Sequence, residues 1–189
     1  MKSQDIVILL KLVSLQEQES SGLLDSSDWL PGREEPYTVR GLGTSLGISK
    51  TEVSASLNRS LESGLAVKDR ERGRTKPNRR NLYDFIVHGL KFVFPAKPGA
   101  PKRGIATGFA APMLKSQLMS AGDDLYVWPY AQGEVRGLSV EPLFKSVPEA
   151  AGHDEKLYEY LALIDAIRLG RQRETNLATK LLKERLLKQ

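Results

Sequence analysis

The stretch that most constrains the fold is residues 46–66, LGISKTEVSASLNRSLESGLA, in which a tight turn separates two runs with helical spacing. Gly47 supplies the positive φ that such a turn requires. Ser49 and Glu52 form the S-x-x-E pattern of a capping box, which predicts that a helix begins there. Gly64 stands where a left-handed residue ends a helix. The residues predicted to be buried along this helix are Val53, Leu57 and Leu61.

The opposite face of this helix is polar. A helix that only completes a core gains nothing from cationic and hydrogen-bonding side chains on one side, whereas a helix that lies in a charged groove uses them. The residues of this face are Lys50, Thr51, Ser54, Asn58 and Arg59. The pattern favours binding to a charged surface, with a helical protein-binding module as the alternative.

The positive charge of the chain is local. The segment KDRERGRTKPNRR, residues 68–80, holds seven Lys or Arg residues against two acids, an excess equal to the net charge of +5 of the whole chain. A concentrated basic patch suits a polyanion such as nucleic acid. A solvated basic loop is the alternative for this segment taken alone.

The elements around these two segments follow a recognisable order. Apolar residues at helical spacing predict a first helix over residues 3–17, and Ser, Gly, Pro and acidic residues predict a loop over 20–36. Trp29 and Leu30 are expected to pin this loop to the surface. A second helix begins at Thr38, a plausible N-cap, and ends at the turn.

Strands are predicted on both sides of the basic segment. The sequence predicts a short strand from Leu65 to Lys68, followed by a loop formed by the basic run. Residues near Leu82 are predicted to form the returning strand. Residues 81–94 are ambiguous, because most of their apolar positions favour a helix while KFVF fits a strand. The order helix, loop, helix, turn, capped helix, strand, basic loop, strand is the plan of a winged helix-turn-helix.

Residues 38–66 resemble the helix-turn-helix core of MarR-like winged-helix regulators. The matching residues are Leu42, Leu46, Gly47, Ile48, Ser49, Lys50, Val53, Ser54, Leu57, Gly64 and Leu65. The resemblance implies a DNA-binding transcriptional regulator. One departure is Gly43, where the family usually has Ala or a similar small residue, with Gly41 close by. Each glycine weakens a helix by about 1 kcal/mol relative to alanine.

The geometry of such a domain assigns roles to its polar residues. The helix over 49–63 fits the major groove, where Asn58 suits adenine and Ala55 a thymine methyl, while the wing over 68–80 neutralises the backbone. The DNA-binding residues predicted on the helix are Ser49, Lys50, Thr51, Ser54, Ala55, Asn58 and Arg59. Those predicted in the wing are Arg70, Arg72, Arg74, Lys76, Arg79 and Arg80.

The second half of the chain differs in composition from the first. Pro and Gly predict an extended arm over residues 95–123, whose Lys97, Lys102 and Arg103 either follow phosphates or only span the surface. Residues 124–140 predict a hairpin turning at Gln132–Gly133. The aromatic face of this hairpin, Tyr126, Trp128 and Tyr130, is expected to pack against a helix rather than to stack on bases.

Residues 154–189 predict helices with a break at Gly170. Their apolar stripes suit a homodimer, because helix-turn-helix proteins bind two half-sites, although they equally suit helices that close over the aromatic hairpin within one chain. The first stripe is Leu157, Leu161 and Ile164, and the second is Leu177, Leu181 and Leu186.

Enzymatic chemistry is not expected from this composition. The chain has no cysteine and two histidines, His88 and His153, and it lacks the phosphate-binding pattern G-x-x-x-x-G-K-[ST]. No catalytic residue, metal site or cofactor is predicted. The absence of cysteine fits a reducing cytoplasm, and the lack of an 18-residue apolar run argues against a membrane span.

Together these patterns predict an α+β protein with a winged helix-turn-helix domain over 1–94, an extended arm over 95–123, and a hairpin plus helical module over 124–189. The predicted function is sequence-specific binding of double-stranded DNA as a transcriptional regulator, with a homodimer as the expected assembly. The alternative is a nucleic-acid-binding or protein-interaction scaffold in a larger complex, including an antitoxin-like partner of a protein effector.

Overall fold

The computed structural model describes residues 1–23, 35–115 and 125–187 and shows an α+β protein. Within these ranges the helices are α1 (Ser3–Ser20), α2 (Val39–Leu46), α3 (Lys50–Glu62), α4 (Arg79–His88), α5 (Leu90–Val93), α6 (Val147–Gly152), α7 (Glu155–Leu169) and α8 (Gln172–Leu187). The strands are β1 (Ala66–Lys68), β2 (Thr75–Pro77), β3 (Pro101–Thr107), β4 (Tyr126–Pro129) and β5 (Val135–Ser139). No helix in these ranges is long and apolar enough to cross a membrane.

Helix α1 is the centre of the molecule. Every residue from Asp5 to Leu15 is buried, so the helix is enclosed on all sides rather than on one stripe. Its neighbours are α2, α3 and β2 from the first half of the chain and α7 from the second half. A helix that is apolar around its whole circumference is typical of a core position. The predicted first helix is therefore confirmed, and it extends to Ser20.

A buried polar cluster joins α1 to the start of α7. Asp154 accepts hydrogen bonds from Lys11 Nζ at 2.7 Å and from Ser14 Oγ at 2.7 Å, and it caps α7 by accepting from the Leu157 N–H at 3.0 Å. Burial raises the pKa of Asp154, but the Lys11 ammonium and these hydrogen bonds outweigh that effect and hold the pKa below its ordinary value. The two halves of the chain are thus joined by a paired charge inside the core.

The two predicted helices over residues 38–63 and the turn between them form as the sequence predicts. The Thr38 side chain caps α2 by accepting from the Gly41 N–H, Gly47 has φ +61°, and Ser49 caps α3 by accepting from the Glu52 N–H. The reciprocal half of the capping box is replaced by ion pairs, because the Glu52 carboxylate binds Lys2 and Arg59.

The two glycines of α2, Gly41 and Gly43, have a packing role. A Cβ on Gly41 would lie 2.3 Å from the Glu35 carbonyl oxygen, and a Cβ on Gly43 would lie 2.7 Å from the Ile48 carbonyl oxygen. Backbone crosses both positions at a distance that excludes a side chain. The helix propensity lost at these glycines therefore permits the close approach of α2 to the turn and to the segment before it.

The β1–β2 hairpin is shorter than expected. Ala66 pairs with Pro77 and Lys68 with Thr75, so the returning strand lies within the basic segment and the prediction near Leu82 is wrong. Asn78 caps α4 and ends the hairpin there. Residues 90–93 are helical, which excludes the strand alternative for KFVF.

The second sheet is a closed three-stranded barrel that corrects two predictions. Part of the predicted arm is strand β3, which pairs antiparallel with β4 through one half and with β5 through the other. β4 and β5 are parallel to each other at Tyr126–Leu138 and Val127–Ser139, so they do not form the predicted hairpin. Residues 116–124 of the arm lie outside the described residues, as do Trp29 and Leu30.

The barrel is fastened to α7 through a buried aspartate. Asp165 accepts from Trp128 Nε1 at 2.6 Å, from Thr107 Oγ1 at 2.8 Å and from Arg168 Nη1 at 2.7 Å. Trp128 is buried, whereas Tyr126 and Tyr130 are half-buried. The prediction that this aromatic side packs against a helix holds for Trp128, whose ring also lies 5.6 Å from that of Tyr158 on α7.

Helices α7 and α8 break at Gly170 as predicted and enclose the core within one chain. α8 packs on α7 and α4, while α7 packs on α1. The stripe on α7 is fully buried, and Leu181 and Leu186 of α8 are buried beside it. These apolar side chains are unavailable to a second copy. The core is therefore continuous across the predicted boundary at residue 94.

Candidate nucleic-acid interface

The outer face of α3 is exposed and is not covered by any of the described residues. Lys50, Thr51, Ser54 and Asn58 are exposed, while Val53, Ser56 and Ser60 are buried on the opposite side. Leu57 and Leu61 are half-buried at the margin and contact the core. This division leaves an amine, two hydroxyls and a carboxamide on a helix whose inner face is fixed by packing. Ser49 is exposed at the start of the helix, and Ala55 is half-buried.

Arg59 does not belong to this outer face. Its guanidinium donates to the Asp5 carboxylate from Nε at 3.0 Å and from Nη2 at 2.6 Å, and Nη2 also donates to Glu52 at 2.6 Å. Burial raises the pKa of Asp5, but hydrogen bonds from Arg59 and from the Lys2 backbone N–H outweigh it, so the pKa lies below its ordinary value. Arg59 joins α3 to α1, and the predicted phosphate contact gives way to this structural role.

The basic segment is largely paired with carboxylates. Five of its seven cations form ion pairs: Arg72 with Glu19 at 2.7 Å, Arg74 with Glu35 at 2.8 Å, Lys76 with Asp69 at 3.5 Å, Arg79 with Glu17 at 3.1 Å, and Arg80 with Asp84 at 3.1 Å. Most of these acids lie outside residues 68–80. The local charge excess counted from the sequence is therefore reduced by folding.

These ion pairs fall into two groups by exposure. The side chains of Arg72, Lys76 and Arg80 are about half exposed or more, and exposed pairs contribute about 0–1 kcal/mol, so a phosphate can replace the carboxylate. Arg79 is 15% exposed, and it also donates to Gln16 and to the Leu186 carbonyl oxygen. Arg74 lies over the Tyr37 ring at 4.3 Å. Arg74 thus holds the hairpin to the rest of the molecule, and Arg79 does the same for the start of α4.

Two cations of the segment remain unpaired. Lys68 and Arg70 are exposed and form no ion pair with any residue in the described ranges. Lys68 was not among the sites predicted from sequence, because β1 was interpreted there only as a strand. The alternation of side chains along β1 indicates its orientation, since Val67 and Lys68 line cavities on opposite faces of the hairpin.

One groove borders both the hairpin and α3. It has a volume of about 260 Å³ and is lined by Leu57 of α3, Thr38 and Val39 of α2, and Lys68 and Arg74 of the hairpin. The hairpin therefore lies beside the helix whose outer face is uncovered. A second cavity, about 1040 Å³, lies on the other face of the hairpin and is lined by charges of both signs.

The structure accordingly divides the predicted site. It places Ser49, Lys50, Thr51, Ser54 and Asn58 on one exposed helix face with the hairpin alongside. It assigns Arg59, Arg74 and Arg79 to contacts within the chain. Within the described ranges, no group of three His, Cys, Asp or Glu side chains is arranged to hold a metal ion.

Comparisons of the chain with protein families, with curated proteins and with solved structures give no match.

Proposed function

We propose that this chain is a winged helix-turn-helix protein that binds double-stranded DNA sequence-specifically and regulates transcription. The observation that carries the proposal is the uncovered outer face of α3, whose inner face is fixed by the core. A functional helix of this kind must leave one face unoccupied by its own chain. The resemblance of residues 38–66 to MarR-like regulators supports the same reading.

The dimensions of α3 fit the major groove of DNA. The helix has 13 residues, which corresponds to a length of about 20 Å at about 1.5 Å per residue. A helix with side chains is about 10–12 Å wide, close to the about 12 Å width of the groove. Lys50 and Thr51 lie in the first turn, near the end of a recognition helix that contacts base edges.

The chemistry of the exposed face suits base recognition. The Asn58 carboxamide can donate from its amide nitrogen to N7 of adenine and accept at its oxygen from the N6 amino group, an arrangement that no other base edge matches. Lys50 donates to guanine or to phosphate, and the hydroxyls of Thr51 and Ser54 donate or accept. The hairpin beside α3 forms the wing, where the unpaired Lys68 and Arg70 contact the backbone electrostatically.

The test is selection from a random-sequence pool of DNA duplexes, followed by affinity measurements on the enriched duplex. We expect the variant Lys50→Ala, Asn58→Ala to bind that duplex at least tenfold more weakly and to lose base preference, since each base contact contributes about 1–3 kcal/mol of discrimination. Lys180→Ala, Asn176→Ala, a matched pair exposed on α8, should bind like the wild type.

Other outcomes identify other functions. Binding to duplexes without any enriched sequence would indicate a nucleic-acid scaffold rather than a regulator. An absence of binding to any duplex would indicate a protein-interaction module, with the exposed face of α3 as its contact surface. Unchanged affinity and base preference in the Lys50, Asn58 variant would refute the role given to α3.

A further inference from the structure

The barrel places two arginines opposite each other. Arg103 of β3 and Arg136 of β5 are direct register partners in an antiparallel pair. Directly opposed residues share one face of the sheet, with their Cβ atoms about 5 Å apart. Both side chains are exposed, and neither forms a hydrogen bond or ion pair with any residue in the described ranges.

Opposed like charges destabilise a strand pair, and no acid among the described residues forms an ion pair with either arginine. Glu134 precedes β5 and is exposed, but it forms no ion pair within the described part of the chain. The pairing register thus maintains a cationic cluster of these two arginines that contacts among the described residues leave unneutralised, in contrast to the carboxylate-paired wing.

The backbone beneath this cluster is tightly packed. A Cβ on Gly104, the residue after Arg103, would lie 1.9 Å from the Trp128 carbonyl oxygen. A Cβ on Gly133 would lie 2.2 Å from the Gly104 carbonyl carbon, and Tyr130 N–H donates to the Arg103 carbonyl oxygen at 3.2 Å. Three segments therefore cross in contact, which fixes the positions from which both guanidinium groups extend.

The ligand that matches such a cluster carries several negative oxygens at repeated spacing. Guanidinium groups bind phosphate through two parallel hydrogen bonds, and a nucleic-acid backbone presents successive phosphates. We infer that Arg103 and Arg136 contact phosphates of the DNA duplex beyond the segment covered by α3 and the wing. This inference rests on the proposed function, and it extends the DNA-binding surface to the barrel.

The test is the salt dependence of duplex affinity. Each phosphate contact adds about 0.9 to the slope of log K against log salt, so Arg103→Gln, Arg136→Gln should lower the slope by about 1.8. Glutamine retains part of the aliphatic stem, and circular dichroism verifies the fold. The matched control is Arg171→Gln, Arg173→Gln, which removes two exposed arginines from the α8 region and should leave the slope at the wild-type value.

Duplex length provides the second arm. Trimming a long duplex from its ends should lower the slope of the wild type but not that of the barrel variant, since the outer phosphates are the ones lost. A barrel variant with the wild-type slope overturns the inference, and so does a control that loses as much slope as the barrel variant.

The same measurements separate this inference from the proposed function. If Lys50→Ala, Asn58→Ala alters base preference while the barrel variant keeps the wild-type slope, only the barrel inference fails. If the barrel variant loses slope while the α3 variant keeps the affinity and base preference of the wild type, the barrel contact stands and the role of α3 fails. A wild type that binds no duplex overturns both.

Discussion

Replacing Arg59 with alanine tests whether this residue supports the core or contacts DNA. The Asp5 carboxylate is 0% exposed and is held by two hydrogen bonds from the Arg59 guanidinium. Removing one partner of a buried ion pair costs about 3–5 kcal/mol. The Arg59 side chain is 25% exposed and the Lys2 N–H still donates to Asp5, which reduces the expected loss to about 2–3 kcal/mol.

The measurement is thermal and urea unfolding. A loss of that size lowers Tm by roughly 4–12 °C for a chain of this length. Arg70→Ala is the matched control, because Arg70 is exposed and forms no ion pair with the described residues, so its stability should change by about 0.5 kcal/mol or less.

The pH dependence of this loss follows from the pKa of Asp5. In the wild type that pKa is lowered, so the pair contributes stability above the unfolded value and loses it as the pH falls through the folded value. Without Arg59, burial raises the pKa and Asp5 binds a proton more readily. The deficit of the variant should therefore shrink from pH 7 to pH 4. A variant with wild-type Tm that binds DNA more weakly would refute this reasoning.

Two further substitutions test the packing. Gly43→Ala should lose about 1–3 kcal/mol of unfolding free energy in urea, because its Cβ would meet the Ile48 carbonyl oxygen. Gly152→Ala, whose Cβ meets open space, should keep the wild-type stability, and equal stabilities of the two variants would contradict the close approach at Gly43. Lys11→Met should lose about 3 kcal/mol of unfolding free energy at pH 7, because it leaves the Asp154 carboxylate buried without its ammonium partner. Calorimetry should show a smaller loss in acid, and a pH-independent loss would show that charge is not the cause.

The parts of the fold that were predicted correctly depend on neighbours in sequence. The positive φ of Gly47 and the caps at Thr38 and Ser49 involve residues within one helical turn, so the local pattern contains the whole interaction. The break between α7 and α8 at Gly170 was likewise predicted from a local pattern. Distant contacts are different. Helical spacing places Arg59 on the polar face of α3, but its partner Asp5 lies 54 residues earlier and is invisible to any local pattern.

The barrel was missed for the same reason. The many Pro and Gly residues in 95–112 indicate a linker when only local composition is considered. In the structure Gly104 is the point where β3 changes partner from β5 to β4, and no side chain fits there. Arg136 entered no predicted site because its significance depends on the register that sets it against Arg103. The spacing of residue types along the sequence does not reveal which strands pair when they lie this far apart in the chain.

The central position of α1 has a consequence for biosynthesis. Helix α1 leaves the ribosome before α7, yet Lys11 meets Asp154 across 143 residues, so the groups that enclose it are translated late. Until then its apolar surface is open to chaperones and to aggregation. We therefore expect the half of the chain that contains α3 to complete its folding only when the C-terminal helices have been made, and truncated translation products not to accumulate as folded fragments.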